Sequence, residues 1–295
     1  MTTAARTARV RVALHAADHL GEGPVWDERA GELLRVDITR GRIHAWSPTG
    51  NRVRTQVLGG EVSAVVPRAA APGCVVAAGH RLALRERDEE RILAVVEQDR
   101  PDNRFNDCKC DPQGRLWAGT MSKRREPGTA ALYRLVAGGE LERVIAGTTI
   151  SNGLAWSPTG DRMYFVDSTT QRIDAFDFEA ATGAITGRRA FAEVDPRDGL
   201  PDGLTVDAEG GVWLCLFGGA AIRRYGPDGA LTAAIALPVT NPTSAAFGGA
   251  DLDTLYITTA RHRLSPEQLA AEPLAGALLA LEPGVRGLPG NRFAG

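Results

Sequence analysis

Four oxygen-bearing side chains stand at the heads of four similar phrases: Glu22 in "EGPVWDERAGELLRVD", Asn106 in "NDCKCDPQGRLWAGT", Asn152 in "NGLAWSPTGDRMYFVD" and Asp202 in "DGLTVDAEGGVWLCL". Two are carboxylates and two are amides. Like charges held close repel, and they are costly to strip of water unless something compensates them. A hard divalent cation does so directly, because Ca2+, Mg2+ and Mn2+ accept carboxylate and amide oxygens with water completing the shell. The five histidines (His15, His19, His44, His80, His262) fall outside these phrase heads and read as surface or packing residues. That argues against a zinc hydrolase with imidazole ligands, while Zn2+ on an oxygen site stays open. Arg104 precedes Asn106 by two places in "DNRFND". Residues two apart in an extended chain face the same way. Arg104 is therefore either a forked donor beside Asn106 or an ordinary surface arginine.

Chemistry of this kind needs elements that bring distant residues together. The four phrases align over their first halves. Each has a polar head, a short apolar strand, a turn containing Gly31, Gly114, Gly160 or Gly210, and a second apolar strand. Two weaker copies begin at Val62 and near Thr243. Six units at intervals of roughly 40 to 50 residues match the period of a four-stranded propeller blade. Third and fourth strands follow in several units, for example "QRIDAFDFE" and "GAITGRRAFAE" after Asp167. The expected fold is all-β: one six-bladed β-propeller domain over residues 1–295, with four-stranded antiparallel blades. The N-terminal segment "ARVRVALHA" is expected to complete the last blade and close the ring, hiding edges that would otherwise aggregate. In a propeller the first strand of each blade lines the central channel. Glu22, Asn106, Asn152 and Asp202 would then meet at one mouth, with Val62 and Thr243 at the same level. Asn-Gly and Asp-Gly also favour turns on their own, but that does not account for Glu22 before Gly23-Pro24 or for the shared register. Helical periodicity is confined to "SPEQLAAEPL", which opens on an N-cap pattern at Ser265.

Composition narrows the partners. A net charge of −2 gives no global attraction to nucleic acid or to an anionic membrane. No stretch approaches the ~20 apolar residues that span a bilayer, and the first twenty residues lack the apolar region of a secretory signal. Four cysteines are few for 295 residues, and Cys108-x-Cys110 has no second pair at zinc-site spacing, so packing is the expected role. A reduced, cytoplasmic protein follows. Neither a G-x-S-x-G elbow, nor H-E-x-x-H, nor a P-loop is present.

The phrases "GEGPVWD", "RFNDCKCDPQGRLWAGTM", "SNGLAWS", "MYFVDS" and "PDGLTVDAEGGVWL" resemble the gluconolactonase / senescence marker protein / regucalcin family in order and spacing over nearly the whole chain. The resemblance implies one divalent metal in the channel mouth, calcium first, with Zn, Mn, Mg or Fe as alternatives. Its ligand pattern falls on Glu22, Asn152 and Asp202. Its substrate contacts fall on Arg104 and Asn106, and Asp202 matches the residue assigned as general base. The implied activity is metal-dependent hydrolysis of a small sugar lactone, such as gluconolactone or a pentonolactone, to the aldonic acid. A monomer or weak homo-oligomer is the expected state. Animal members carry a glutamate shortly after "AGTM". Here Ser122, Lys123 and Arg124 stand in that region, so their substrate preference does not transfer. Two other readings remain: a related ester or phosphotriester hydrolase, and a calcium- or protein-binding propeller without turnover.

Overall fold

The repeat is built from its turns. The Asp111 side chain accepts the backbone N–H groups of Gln113 and Arg115, each at 3.0 Å, and the indole N–H of Trp117 at 3.0 Å. Asp207 does the same for Glu209, Gly211 and Trp213 at 3.0, 2.8 and 2.8 Å. An aspartate that bonds the backbone two residues on holds a tight turn. Here the same carboxylate also anchors the tryptophan of the next strand. Gly114 and Gly210 supply the left-handed residue these turns require, with φ of 81° and 82°.

The structure is a computed structural model describing residues 9–87, 89–136 and 138–295. It is a six-bladed β-propeller of six four-stranded antiparallel sheets. The inner strands are Gly21–Asp27, Val62–Pro67, Asn103–Cys110, Ser151–Trp156, Leu200–Val206 and Pro242–Gly248. They neighbour one another in a closed ring. In five blades the strands run outward in chain order. In the sixth, the outermost strand is Arg11–Leu14, paired with Leu278–Leu281, so the N-terminal segment closes the ring as expected. Of the N-terminal stretch read for a leader, residues 1–8 lie outside the described residues.

Burial follows position in the blade. The inner strands of blades two and four are buried at every residue, whereas the outer strand Arg52–Val57 is exposed at every residue. Inner strands are covered on both faces by neighbouring blades and therefore read as apolar runs. The outer strands of blades one to four carry several charges each, which discourages edge pairing. The core is not a single mass. Six apolar clusters lie one between each pair of adjacent blades. Between blades three and four, Trp117, Trp156 and Phe178 meet edge-on or tilted at 5.9 to 6.2 Å. Cys108 and Cys110 are free thiols packed in the cluster between blades two and three. Among the described residues one α-helix, Pro266–Ala271, is capped by a Ser265/Gln268 capping box. Among the described residues no helix is long and apolar enough to cross a membrane.

Candidate active site at the channel mouth

Each inner strand slips by one residue against its neighbour near its start. Ser151 pairs with Asp167 and Leu154 with Phe165, so three steps on one strand face two on the other. The same slip falls between Glu22 and Val25, Val62 and Ala64, Phe105 and Cys108, Pro201 and Leu204, and Pro242 and Ser244. A bulge of this kind leaves residues unpaired and re-aims their side chains. The residues at the slip form a ring: Ser63, Asn106, Asn152, Asp202 and Thr243, with Glu22, still paired to Val36, at the edge of its own slip. For the second blade the ring residue is Ser63, one place beyond the expected Val62, which is fully buried in the core. The shift arises because the bulge, and not the apolar rhythm, decides which residue is re-aimed.

Asn152-Gly153 and Asp202-Gly203 are strand residues, not turns. Their glycines make room for the next blade. A Cβ on Gly153 would stand 2.7 Å from the carbonyl oxygen of Asp202, and one on Gly203 would stand 2.2 Å from the hydroxyl of Ser244. Inner strands can approach this closely only where no side chain intervenes.

The ring divides by what its members hold. The Ser63 hydroxyl donates to the carbonyl of Phe105 at 2.5 Å, the Asn106 amide to that of Ser151 at 2.9 Å, and the Thr243 hydroxyl to that of Gly21 at 2.6 Å. In each case the acceptor is the residue just before the next ring position, so these three lace adjacent blades together. Among the described residues, the side chains of Glu22, Asn152 and Asp202 make no such bond to a carbonyl of the next blade. The Asn152 amide nitrogen donates sideways to Ser168 Oγ at 3.2 Å, and its buried Oδ1 has no hydrogen-bond partner. Glu22 accepts the N–H of Gly23 at 3.0 Å. Glu22, Arg104, Asn106, Asn152 and Asp202 all line one pocket at the channel mouth.

Burial, and then the charge of Asp107, push the Glu22 carboxyl up to about 8; Gly23 N–H, Arg104 and Lys109 oppose the rise. Burial and the Glu22 charge push Asp202 well above the usual carboxylate range, against the Asn152 amide. Arg104 is buried. Its Nη1 donates to Asn106 Oδ1 and to the Phe105 carbonyl, both at 2.8 Å, and its Nε lies 3.3 Å from Glu61. Burial pulls its pKa down, while Glu61, Glu22 and Asp202 hold it up. Both ends of the Asn106 amide are thus engaged by protein groups.

Several contributors were not foreseen from sequence. The Asp37 carboxylate accepts the backbone N–H groups of His19 and Leu20, and Asp167 those of Thr149 and Ile150, at 2.9 to 3.1 Å. These carboxylates pin the approach to Glu22 and Asn152, and the repeated "VD" was their signal. His262, expected to be a surface or packing residue, lines the pocket beside Arg125 and Arg263. Nothing in its local sequence marks that, since a separate blade brings it there.

Among the described residues no group of three or more His, Cys, Asp or Glu side chains could hold a metal ion without other donors. A cation at this mouth would therefore draw on the Asn152 oxygen as well as the two carboxylates. The donor set fits a hard ion: an unpaired buried amide oxygen lies in the same pocket as two carboxyls that repel each other's charge.

Fold and pocket define a six-bladed propeller with a charge-strained oxygen site at one mouth of its channel. The chain belongs to the SMP-30/gluconolactonase/LRE-like family, whose model matches residues 20–261. It is 36% identical to regucalcin of Sus scrofa over 296 residues, covering 97% of this chain and 99% of the relative. Among solved structures it resembles a luciferin-regenerating enzyme (TM-score 0.92, 31% identity, 97% and 99% of the two chains) and a calcium-binding regucalcin from Agrobacterium tumefaciens (TM-score 0.92, 30%, 97% of each). A gluconolactonase from Xanthomonas campestris is similar at TM-score 0.77 and 25% identity, over 96% and 93% of the chains.

Proposed function

We propose that this protein hydrolyses a sugar lactone with a divalent cation held by Glu22, Asn152 and Asp202. The observation that carries the reading is the division of the bulge ring: three members bond a carbonyl of the next blade, while Glu22, Asn152 and Asp202 line the pocket, Asn152 with an unpartnered oxygen. The family description and the gluconolactonase among the similar structures support the lactone as substrate. When bound, the cation would supply Lewis-acid polarisation of the ester carbonyl and stabilise the charge that develops on its oxygen.

The chain's own groups do the rest. Arg104, braced by Asn106, Phe105 and Glu61, presents a fixed guanidinium to sugar hydroxyls. Asn106 acts mainly by holding Arg104 and the next blade, with the remaining lone pair of its Oδ1 for substrate. Asp202 takes a proton from water as that water's oxygen bonds to the carbonyl carbon. The ring C–O bond then breaks, and the proton passes to the departing ring oxygen, giving the hydroxy acid.

Proton release from pentono- and hexonolactones after chelation, and after readdition of Ca2+, Mg2+, Mn2+ or Zn2+, tests the reading. Turnover restored by a cation supports it. Spontaneous rates with every ion would sink it and favour the second reading, a calcium-binding propeller without turnover, which the calcium-binding relative brings forward.

A further inference from the structure

The basic residues over the pocket are not accounted for by the oxygen site beneath them. Arg125 follows the second strand of blade three, Leu116–Ser122, and Arg263 follows the second strand of blade six, Thr254–Thr259. Both line the pocket that holds Glu22 and Asp202. Both adopt left-handed backbone, with φ of 57° and 66°, a conformation uncommon for side chains of this size. Their cationic neighbours are matched: Arg104 and Lys123 lie 3.3 and 3.4 Å from Glu61, and Arg124 lies 2.9 Å from Asp102. Arg125 and Arg263 have no carboxylate within 4.0 Å among the described residues. Both are exposed at the rim of the pocket, close enough for the charge of Arg263 to weaken the hold of Arg125 on its proton, after burial. The oxygen site is served from elsewhere, since the cations acting on Glu22 are Arg104 and Lys109.

We infer that Arg125 and Arg263 form an anion subsite above the oxygen site, so that the preferred lactone carries a carboxylate or phosphate at the end of the sugar away from its ester carbonyl. This rests on the lactonase reading. Two unpaired guanidiniums at one mouth match the forked geometry of either anion. A neutral lactone would leave both guanidiniums to water alone.

The test compares kcat/KM for D-glucono-1,5-lactone, D-glucaro-1,4-lactone and 6-phospho-D-glucono-1,5-lactone in the wild type, Arg125→Gln, Arg263→Gln and the double variant. At least one anionic lactone should exceed the neutral one by about tenfold. That ratio should fall about threefold per arginine removed, the scale of one exposed ion pair, so that the double variant shows almost no preference, and it should shrink as salt is raised. The better of the two anionic lactones distinguishes carboxylate from phosphate. Calorimetric binding of 1,5-anhydro-D-glucitol and of its 6-phosphate reads the charge preference without turnover. If no lactone is hydrolysed, the lactonase reading fails, and this pair alone decides the subsite. Where lactones do turn over, equal kcat/KM on neutral and anionic substrates, or a ratio unmoved in the double variant, overturns the inference. Where they do not, equal affinity for the two analogues overturns it.

Discussion

Stripped of cations, the protein should lose stability as pH rises from 6.5 to 8. The carboxyl of Glu22 is held up at about 8 in the folded chain, against 4.5 when unfolded. Between those values the folded state binds the proton and the unfolded state does not, so each step upward in pH favours unfolding. Over the window from 6.5 to 8 this amounts to about 2 kcal/mol, and Asp202, raised for related reasons, steepens the slope. The lower limit matters. His44 is pushed down to about 4 and His262 is lowered as well, both chiefly by burial, and below 6.5 their titration runs in the opposite sense. Urea denaturation in chelator at closely spaced pH values measures the fall. Glu22→Gln should flatten it, because the substitution removes one raised carboxyl and the charge that helps raise the other. Saturating Ca2+ should restore more stability at pH 8 than at pH 6.5, since the cation competes with fewer protons there. A wild-type profile flat or rising over this window, or an unchanged slope in Glu22→Gln, refutes the reasoning.

Asn152→Ala and Asp202→Ala should each lower lactone turnover by at least about 100-fold with the β-rich circular dichroism unchanged; loss of fold would assign the residues to structure instead. Gly203→Ala places a methyl 2.8 Å from the Ser244 Cα, a contact that cannot be relieved by a rotamer change. It should cost about 1–3 kcal/mol in urea denaturation and disturb the site carried by the same strand; unchanged stability would mean the inner strands can part more easily than their spacing implies. Removing residues 1–16 takes the outermost strand from blade six and bares the edge of Leu278–Leu281. A lower Tm with increased light scattering is expected, and an unaltered Tm would show that the ring does not depend on this strand.

The blades were legible because their signals are local. Asp111 and Asp207 each organise a turn and the tryptophan that follows, so the same string recurs wherever the unit recurs. The polar heads were legible because four of them share a register. The bulge was not, since a slip in pairing is a relation between two strands and leaves no mark in the period of either one. That is why Val62 stood in for Ser63, and why Asn152-Gly153 also suited a turn. The division between lacing and pocket-facing members depends on carbonyls supplied by the neighbouring blade, such as that of Phe105 for Ser63. The mouth residues Arg125, His262 and Arg263 sit outside any repeated phrase, on loops whose meeting is set by ring closure alone.

Closure has a consequence for when the site comes into being. Blades one and six meet at the seam: Leu20 bridges to Ala260, the Thr243 hydroxyl holds the carbonyl of Gly21, and the backbone N–H groups of Arg261 and His262 both donate to His19. Glu22 follows directly on this stretch. Asn106, Asn152 and Asp202 can take their places within a growing row of blades, but Glu22 joins them only once the last blade, drawn from the far end of the chain, has docked against the first. For the cation site proposed above, affinity would then gauge whether the circle is complete. By mass action the ion would also act as a latch, favouring the closed ring over every open one.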